Sequence, residues 1–282
     1  MTAVADPYTG APARGVLGRI GPLAKLAAPL PAMVALVFSR DLVTPLVFLA
    51  IAYLVILTGT RVSARVAALL LLGIPIGASV IGLSLGLWVD RDLVDGTAPI
   101  LSVGSWTLYS GAVEVGLATG ARLAAILALG LIAGLTTTGP DLVRATVQQL
   151  RVPYRIGYAA LAAIRFVPRF GYELEVIRQA HRVRGAHGGR GPFAAIARWA
   201  GYVVPLLAGA IRHAERVALA MDARAFGAHR DRTERYLLPW RARDTVFVLV
   251  FWVASAAILT VLFPWACDPA MEGCRWPAPV LS

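Results

Sequence analysis

The run Glu173-Leu174-Glu175-Val176-Ile177-Arg178-Gln179-Ala180-His181-Arg182-Val183-Arg184-Gly185 closes a stripe made of Ala163, Val167, Phe170, Leu174, Ile177, His181 and Arg184. Forty residues on, Val203, Leu207, Ala210, Ala214, Val217, Met221 and Arg224 repeat it in phase. Steps alternating four and three keep each set on one face of a helix, so the segment predicts two helices, each with a mostly apolar seam tipped by a guanidinium. A single helix ending in arginine needs no more explanation than a cation at the negative end of the helix dipole. Two in phase, each followed closely by a glycine, Gly185 and Gly227, point instead to a partner with two similar sockets.

Composition places these helices beside a membrane. The 282 residues are 58% hydrophobic and only 15% charged, with a mean hydropathy of +0.69, against about a quarter charged in ordinary soluble chains. Candidate spans are Leu26 to Phe38, Leu42 to Thr58, Val66 to Val89, Val113 to Thr136 and Thr245 to Trp265, measured against the roughly 20 apolar residues that cross the hydrocarbon. The first is short and holds Pro29 and Pro31. Met1 to Leu17 lacks the apolar core of a cleavable signal, so the first span is expected to direct its own insertion. The fold class expected is an all-α polytopic membrane protein with about five transmembrane helices and long amphipathic cytoplasmic helices.

The net charge of +11 is unevenly spread. Eighteen arginines lie between Asp141 and Asp244, which puts that segment on the cytoplasmic side by the positive-inside rule. Arg14, Arg19 and Lys25 place the N-terminus there too, as do Arg61 and Arg65 after the second span, while Asp90, Asp92 and Asp95 outnumber Arg91 in the opposite loop. Five spans then carry the C-terminus, with Cys267 and Cys274, to the extracytoplasmic side of the plasma membrane. A disulfide is permitted there, although spacing alone does not establish its geometry. The organisation expected is a tail over 1–22, four spans within 23–138, a cytoplasmic module over 139–243, a last span over 244–266 and an outer tail over 267–282.

Within the basic segment, Gly139-Pro140-Asp141-Leu142-Val143 opens a short helix that Arg151-Val152-Pro153 ends. Tyr154 to Gly185 reads as a long helix bent at Pro168, His187 to Pro192 as a connection, and Phe193 to Phe226 as a second long helix containing Pro205. Ala163 to Arg184 rises on the order of 30 Å, enough for an arm to run from the membrane interface to a protein below it.

Several chemistries have no carrier. His181, His187, His213 and His229 form no zinc-binding i, i+4 pair, and no phosphate-binding Walker loop occurs. Gly82-Leu83-Ser84-Leu85-Gly86 has the letters of a nucleophile elbow but sits inside a span, where small residues serve helix packing. No catalytic residue, metal site or cofactor is expected. Arg122, near the middle of the fourth span, is expensive there unless it faces protein or water; it is either a functional residue or a structural arginine packed on helix ends.

Glu173 to Gly185, together with Ala214-Glu215-Arg216-Val217-Ala218-Leu219-Ala220-Met221-Asp222-Ala223-Arg224-Ala225-Phe226-Gly227, resembles the transmembrane T component of energy-coupling factor (ECF) transporters, whose two Ala-Arg-Gly signatures tip two long cytoplasmic coupling helices. The counterparts are Val183-Arg184-Gly185 and Ala223-Arg224-Ala225. Thr136 to Leu142 and Arg122 also resemble family features, and the likeness covers about Leu23 to Phe263. Ala225 replaces the second glycine, so chain reversal there is expected to rely on Gly227.

The resemblance implies a non-catalytic scaffold that binds two cytoplasmic ABC ATPase subunits through Arg184 and Arg224. Its seams, Val167, Phe170, Leu174, Ile177, Leu207, Val217 and Met221, would pack on each other and on a small substrate-binding membrane protein, the S component. It implies uptake of a vitamin or a transition-metal ion, contact with membrane lipid and no nucleic acid. Two other classes stay open: a conventional ABC permease, and a polytopic membrane protein whose Arg-rich segment grips anionic lipid.

Overall fold

The computed structural model describes residues 15, 17–39, 41–60, 63–89, 98–103, 106–185, 191–229, 233–234 and 236–262. Cys267, Cys274, His187, Arg190, Asp90, Asp92 and Asp95 lie outside the described residues. The chain divides into two compact units, Met1–Thr138 with Trp240–Ser282, and Gly139–Pro239.

The first unit is helical around a central helix. The expected first span is two short helices, α1 (Pro22–Ala27) and α2 (Leu30–Phe38). Pro29 has no N–H to continue the α1 ladder, and its carbonyl instead accepts from Met33 at 2.9 Å to start α2. Next come α3 (Val43–Gly59), α4 (Ala64–Ala68), a π-helical turn over Leu69–Gly73, and α5 (Ile74–Gly86). The π turn precedes Pro75, which offers no N–H back to Leu70; the Leu70 carbonyl is taken instead by the Tyr53 hydroxyl at 2.8 Å. Where the sequence predicts only a loop, two short antiparallel strands occur, β1 (Pro99–Val103) and β2 (Trp106–Tyr109), with Val103 opposite Trp106. The central α6 (Ser110–Thr136) follows, and α10 (Ala242–Leu262) completes the unit.

The core gathers Leu36, Phe48, Ile56, Leu129 and Ile132, all fully buried, around the alanines of α6. On its other face α6 meets α5 backbone to backbone. A Cβ at Gly82 would stand 2.8 Å from the Gly116 carbonyl, one at Gly86 2.8 Å from the Ala112 carbonyl, and one at Gly120 would overlap the Ala78 carbonyl. Gly82 and Gly86 are therefore packing residues, the close approach that drives helix association in lipid.

The second unit holds α7 (Gly139–Gln149), α8 (Tyr154–Val183) and α9 (Pro192–Asp222), with Pro168 and Pro205 inside continuous helices. Arg151, at φ 54°, turns the chain between α7 and α8. Among the described residues four helical segments are long and apolar enough to cross a membrane: Ala64–Gly86, Ser110–Thr136, Ala242–Leu262 and, beyond the sequence expectation, Phe193–Asp222; Pro22–Phe38 and Val43–Gly59 are shorter apolar helices. The last of the four differs because Phe193 to Ile211 contains one charged residue, Arg198, and the charges of α9 cluster after it.

Candidate functional site

The two long helices of the second unit pack antiparallel. The Phe166 ring stacks on His213 with centroids 4.3 Å apart, and the His181 ring meets Tyr202 edge-on at 5.3 Å, so early α8 lies against late α9. Arg184 and Arg224, each just past the C-terminal end of its helix, consequently lie at opposite ends of the pair.

Both arginines sit in the same local geometry. Each is followed by a residue in the left-handed region, Gly185 at φ 69° and Ala225 at φ 55°. After α9 the Phe226 N–H reaches back to the Met221 carbonyl at 3.0 Å and the Ala225 N–H to Asp222 at 2.9 Å, a Schellman-type end with alanine where glycine is usual. Chain reversal therefore does not rest on Gly227 alone, as the sequence suggested; Ala225 itself takes the strained conformation and Gly227, at φ 95°, adds a second turn. Val183, Arg184, Gly185, Ala223, Arg224 and Ala225 are all exposed, and neither guanidinium has a side-chain hydrogen bond or ion pair among the described residues.

The surroundings of the two arginines differ. Arg224 borders a cleft of about 610 Å³ shared with Arg144, Arg165, Tyr154, Tyr158 and Tyr236. Its floor is tied down from α7 and α8: Arg155 donates to the Gly227 carbonyl at 2.7 Å, Tyr154 to that of His229 at 2.7 Å, Tyr158 to the Glu234 carboxylate at 2.7 Å, and Gln148 to the Tyr236 carbonyl at 2.7 Å. Phe226 lies edge-on to Tyr154 and Tyr158. These ties were not anticipated; the side-by-side amides Gln148-Gln149 at a helix end were the one signal. Arg184 instead projects from the pair beside Val183, which is 90% exposed.

Along the pair, Phe170, Leu174, Ile177, Val217 and Met221 are half-buried, whereas Val167 and Leu207 are exposed, with Phe166, Leu206 and Tyr202 turned inward in their neighbourhood. The inward residues advance mainly by four, the rows used by helices that cross, whereas the alternating stripe presumes a supercoiled pair.

In the first unit, Arg122 is half-buried and donates to the backbone carbonyl of Ser39, the C-cap of α2, leaving Nε buried without a partner among the described residues. The contact is with a helix end, the placement that the structural reading expects. Two residues after Ser39, Asp41 accepts from the Thr44 N–H at 2.7 Å. Burial pushes the Asp41 carboxyl up, but hydrogen bonds with Thr44 and Ser39 outweigh it and hold the group below its ordinary value. Lys25, counted among the orienting charges, is buried and donates to the Thr136 carbonyl at the end of α6, 2.9 Å away. Among the described residues no group of three or more His, Cys, Asp or Glu could hold a metal ion.

A bundle of apolar helices joined in sequence to a long, Arg-ended helix pair defines an all-α polytopic membrane protein. The model of the CbiQ family, described as cobalt transport protein, matches residues 14–235, and the chain belongs to that family. Among similar proteins, the ECF transporter transmembrane protein EcfT of Bacillus selenitireducens is 28% identical over 56% of this chain and 62% of its own, and that of Thermotoga maritima 34% over 40% and 41%. A Bifidobacterium longum protein named as an ABC transporter ATP-binding protein is 29% identical over 89% of this chain and 32% of its own. The chain thus spans about a third to three-fifths of the length of these relatives.

Proposed function

We propose that this chain is the transmembrane coupling subunit of an ECF-type importer, non-catalytic itself, which passes the ATP-driven motion of two ABC ATPase subunits to a substrate-binding S component. The observation that carries the reading is the pair Arg184 and Arg224, each held before a left-handed residue, at opposite ends of one antiparallel helix pair. Two separated and similar arginines suit two copies of a similar socket. A guanidinium suits the socket because its planar fork binds carboxylates or carbonyls in two places while its stem packs on apolar walls. The cobalt-transport description of the family and the EcfT names of relatives support the transport assignment; the cargo, a vitamin or a transition-metal ion, is left to the S component. In this reading the segment 139–243 and the N-terminus face the cytoplasm and the C-terminus lies outside, with Val167 and Leu207 available to the S component.

The test is co-purification and coupled transport. Arg184→Ala or Arg224→Ala is expected to leave the chain inserted while lowering uptake, and the double change to release the ATPases or uncouple hydrolysis; each buried contact of this kind is worth roughly 2 kcal/mol or more. Lysine, lacking the fork, should rescue poorly. Wild-type uptake by the double variant would overturn the reading.

A further inference from the structure

The turns that carry Arg184 and Arg224 are built alike but held differently. Against the turn after α9 lies the guanidinium of Arg155, whose Nη2 donates to the Gly227 carbonyl at 2.7 Å. A Cβ built on Gly227 would stand 3.0 Å from that Nη2, 3.1 Å from Nε and 3.2 Å from Cζ. Three atoms of one planar group at nearly equal range put the guanidinium flat on the Gly227 backbone, a place open because this residue has no side chain. The neighbouring Tyr154 donates to the His229 carbonyl at 2.7 Å, and its ring meets Phe226 edge-on with centroids 5.6 Å apart. Two consecutive residues in the first turn of α8 thus hold positions 226, 227 and 229.

The turn after α8 has no such brace. The Arg184 N–H bonds to the Ala180 carbonyl and the Gly185 N–H to that of Arg182, both within the turn itself. Among the described residues a Cβ on Gly185 meets nothing within 4 Å, and Val183 is 90% exposed. The difference matters for docking, because a tip whose backbone is already fixed loses less freedom when a partner seats on it. The Arg155 contacts fall on the backbone after Arg224 and leave the Arg224 guanidinium free to enter a partner.

We infer that Arg155 is the positioning residue of the Arg224 tip, and that the Arg184 tip has no counterpart to it. The brace follows from the geometry of Arg155 and Gly227; its use in ATPase docking rests on the coupling role proposed above for Arg224. The two tips then meet their sockets in unlike ways. Arg224 arrives preformed, while Arg184 is ordered by the contact.

Hydrogen exchange of the full-length chain in mild detergent, with no partner present, tests the brace. Arg155→Gln is expected to speed exchange of the Arg224 and Phe226 amides roughly twofold to tenfold, the effect of one lost hydrogen bond, and to leave the Arg184 and Gly185 amides unchanged. Arg155→Lys, which keeps a donor and the charge, should recover part of the protection. Equal exchange in Arg155→Gln and the wild type overturns the brace, whether or not an ATPase binds. Titration with the two ABC ATPase subunits tests its use. In a chain carrying Arg184→Ala, where the Arg224 tip alone remains, Arg155→Gln should weaken binding several-fold; in a chain carrying Arg224→Ala it should add nothing, since it acts through that tip. Equal weakening in both backgrounds overturns the positioning role and makes Arg155 a direct contact or a general support. Unchanged binding in the Arg184→Ala chain despite lost protection overturns it as well. Full ATPase binding by Arg184→Ala/Arg224→Ala defeats the coupling reading instead, and the exchange result alone then decides the brace.

Discussion

The buried carboxylate of Asp244 accepts the backbone N–H of Gly21 at 2.7 Å, across 223 positions of sequence. Its other oxygen takes the N–H of Arg241 at 2.9 Å, so one side chain caps the start of α10 and the start of α1 together. Removing it takes the acceptor from two backbone N–H groups that are only partly shielded from water. Asp244→Ala is expected to destabilise the first unit by about 1–3 kcal/mol, and Asp244→Asn, which keeps one acceptor oxygen, by less. Thermal unfolding in detergent checks this; equal melting of the alanine variant and the wild type would refute the cap.

Ala225 offers a change that strengthens the protein. A left-handed residue with a Cβ is strained by about 1–2 kcal/mol, so Ala225→Gly should stabilise the end of α9 by up to about 1 kcal/mol, the gain being reduced by the greater freedom of glycine in the unfolded chain. Gly185→Ala should do the reverse at the end of α8. Hydrogen exchange at the Phe226 and Arg224 amides reports the local effect. If Ala225→Gly loosens these amides, the end of α9 does not adopt this turn.

The α5 and α6 contact predicts a steep dependence on side-chain size. Gly116→Val and Gly120→Val place a branched side chain against the backbone of Gly82 and Ala78, and each should cost more than the 1–3 kcal/mol usual for overpacking, because backbone cannot swing aside. By contrast Gly77→Ala and Gly134→Ala, where a Cβ meets open space, should be mild. Membrane level and melting temperature of the four variants make the comparison; a reversed order would exclude the packing.

Leu174 and Val217 test the helix pair. Both are half-buried on the facing sides of α8 and α9, and Leu174→Asp or Val217→Asp puts a carboxylate into an apolar contact. Loss of ATPase or S-component co-purification is expected at normal membrane level, while the exposed Arg216→Ala remains mild. Normal assembly by both seam variants together with failure of Arg216→Ala would show that surface charge, not packing, carries the function.

The membrane class, the approximate bounds of the apolar helices and the two long helices with their terminal arginines were legible in the sequence, because hydrophobic run length and helical periodicity are local properties. Gly82 and Gly86 of α5 could be read as packing residues for the same reason, whereas their partners Gly116 and Gly120 on α6 appear only in the fold. Three things required tertiary contacts. The opposite placement of Arg184 and Arg224 follows from the antiparallel contacts of Phe166 with His213 and of His181 with Tyr202, and a stripe gives no direction of packing. The strained conformation of Ala225 depends on the Phe226 and Met221 hydrogen bond and on the ties from α7 and α8, while local preference would have given that role to a glycine. Lys25 and Asp244 look like ordinary charges at helix ends in the sequence; only the folded chain brings the Thr136 carbonyl and the Gly21 N–H to them, and a buried charge is tolerated where such partners meet it.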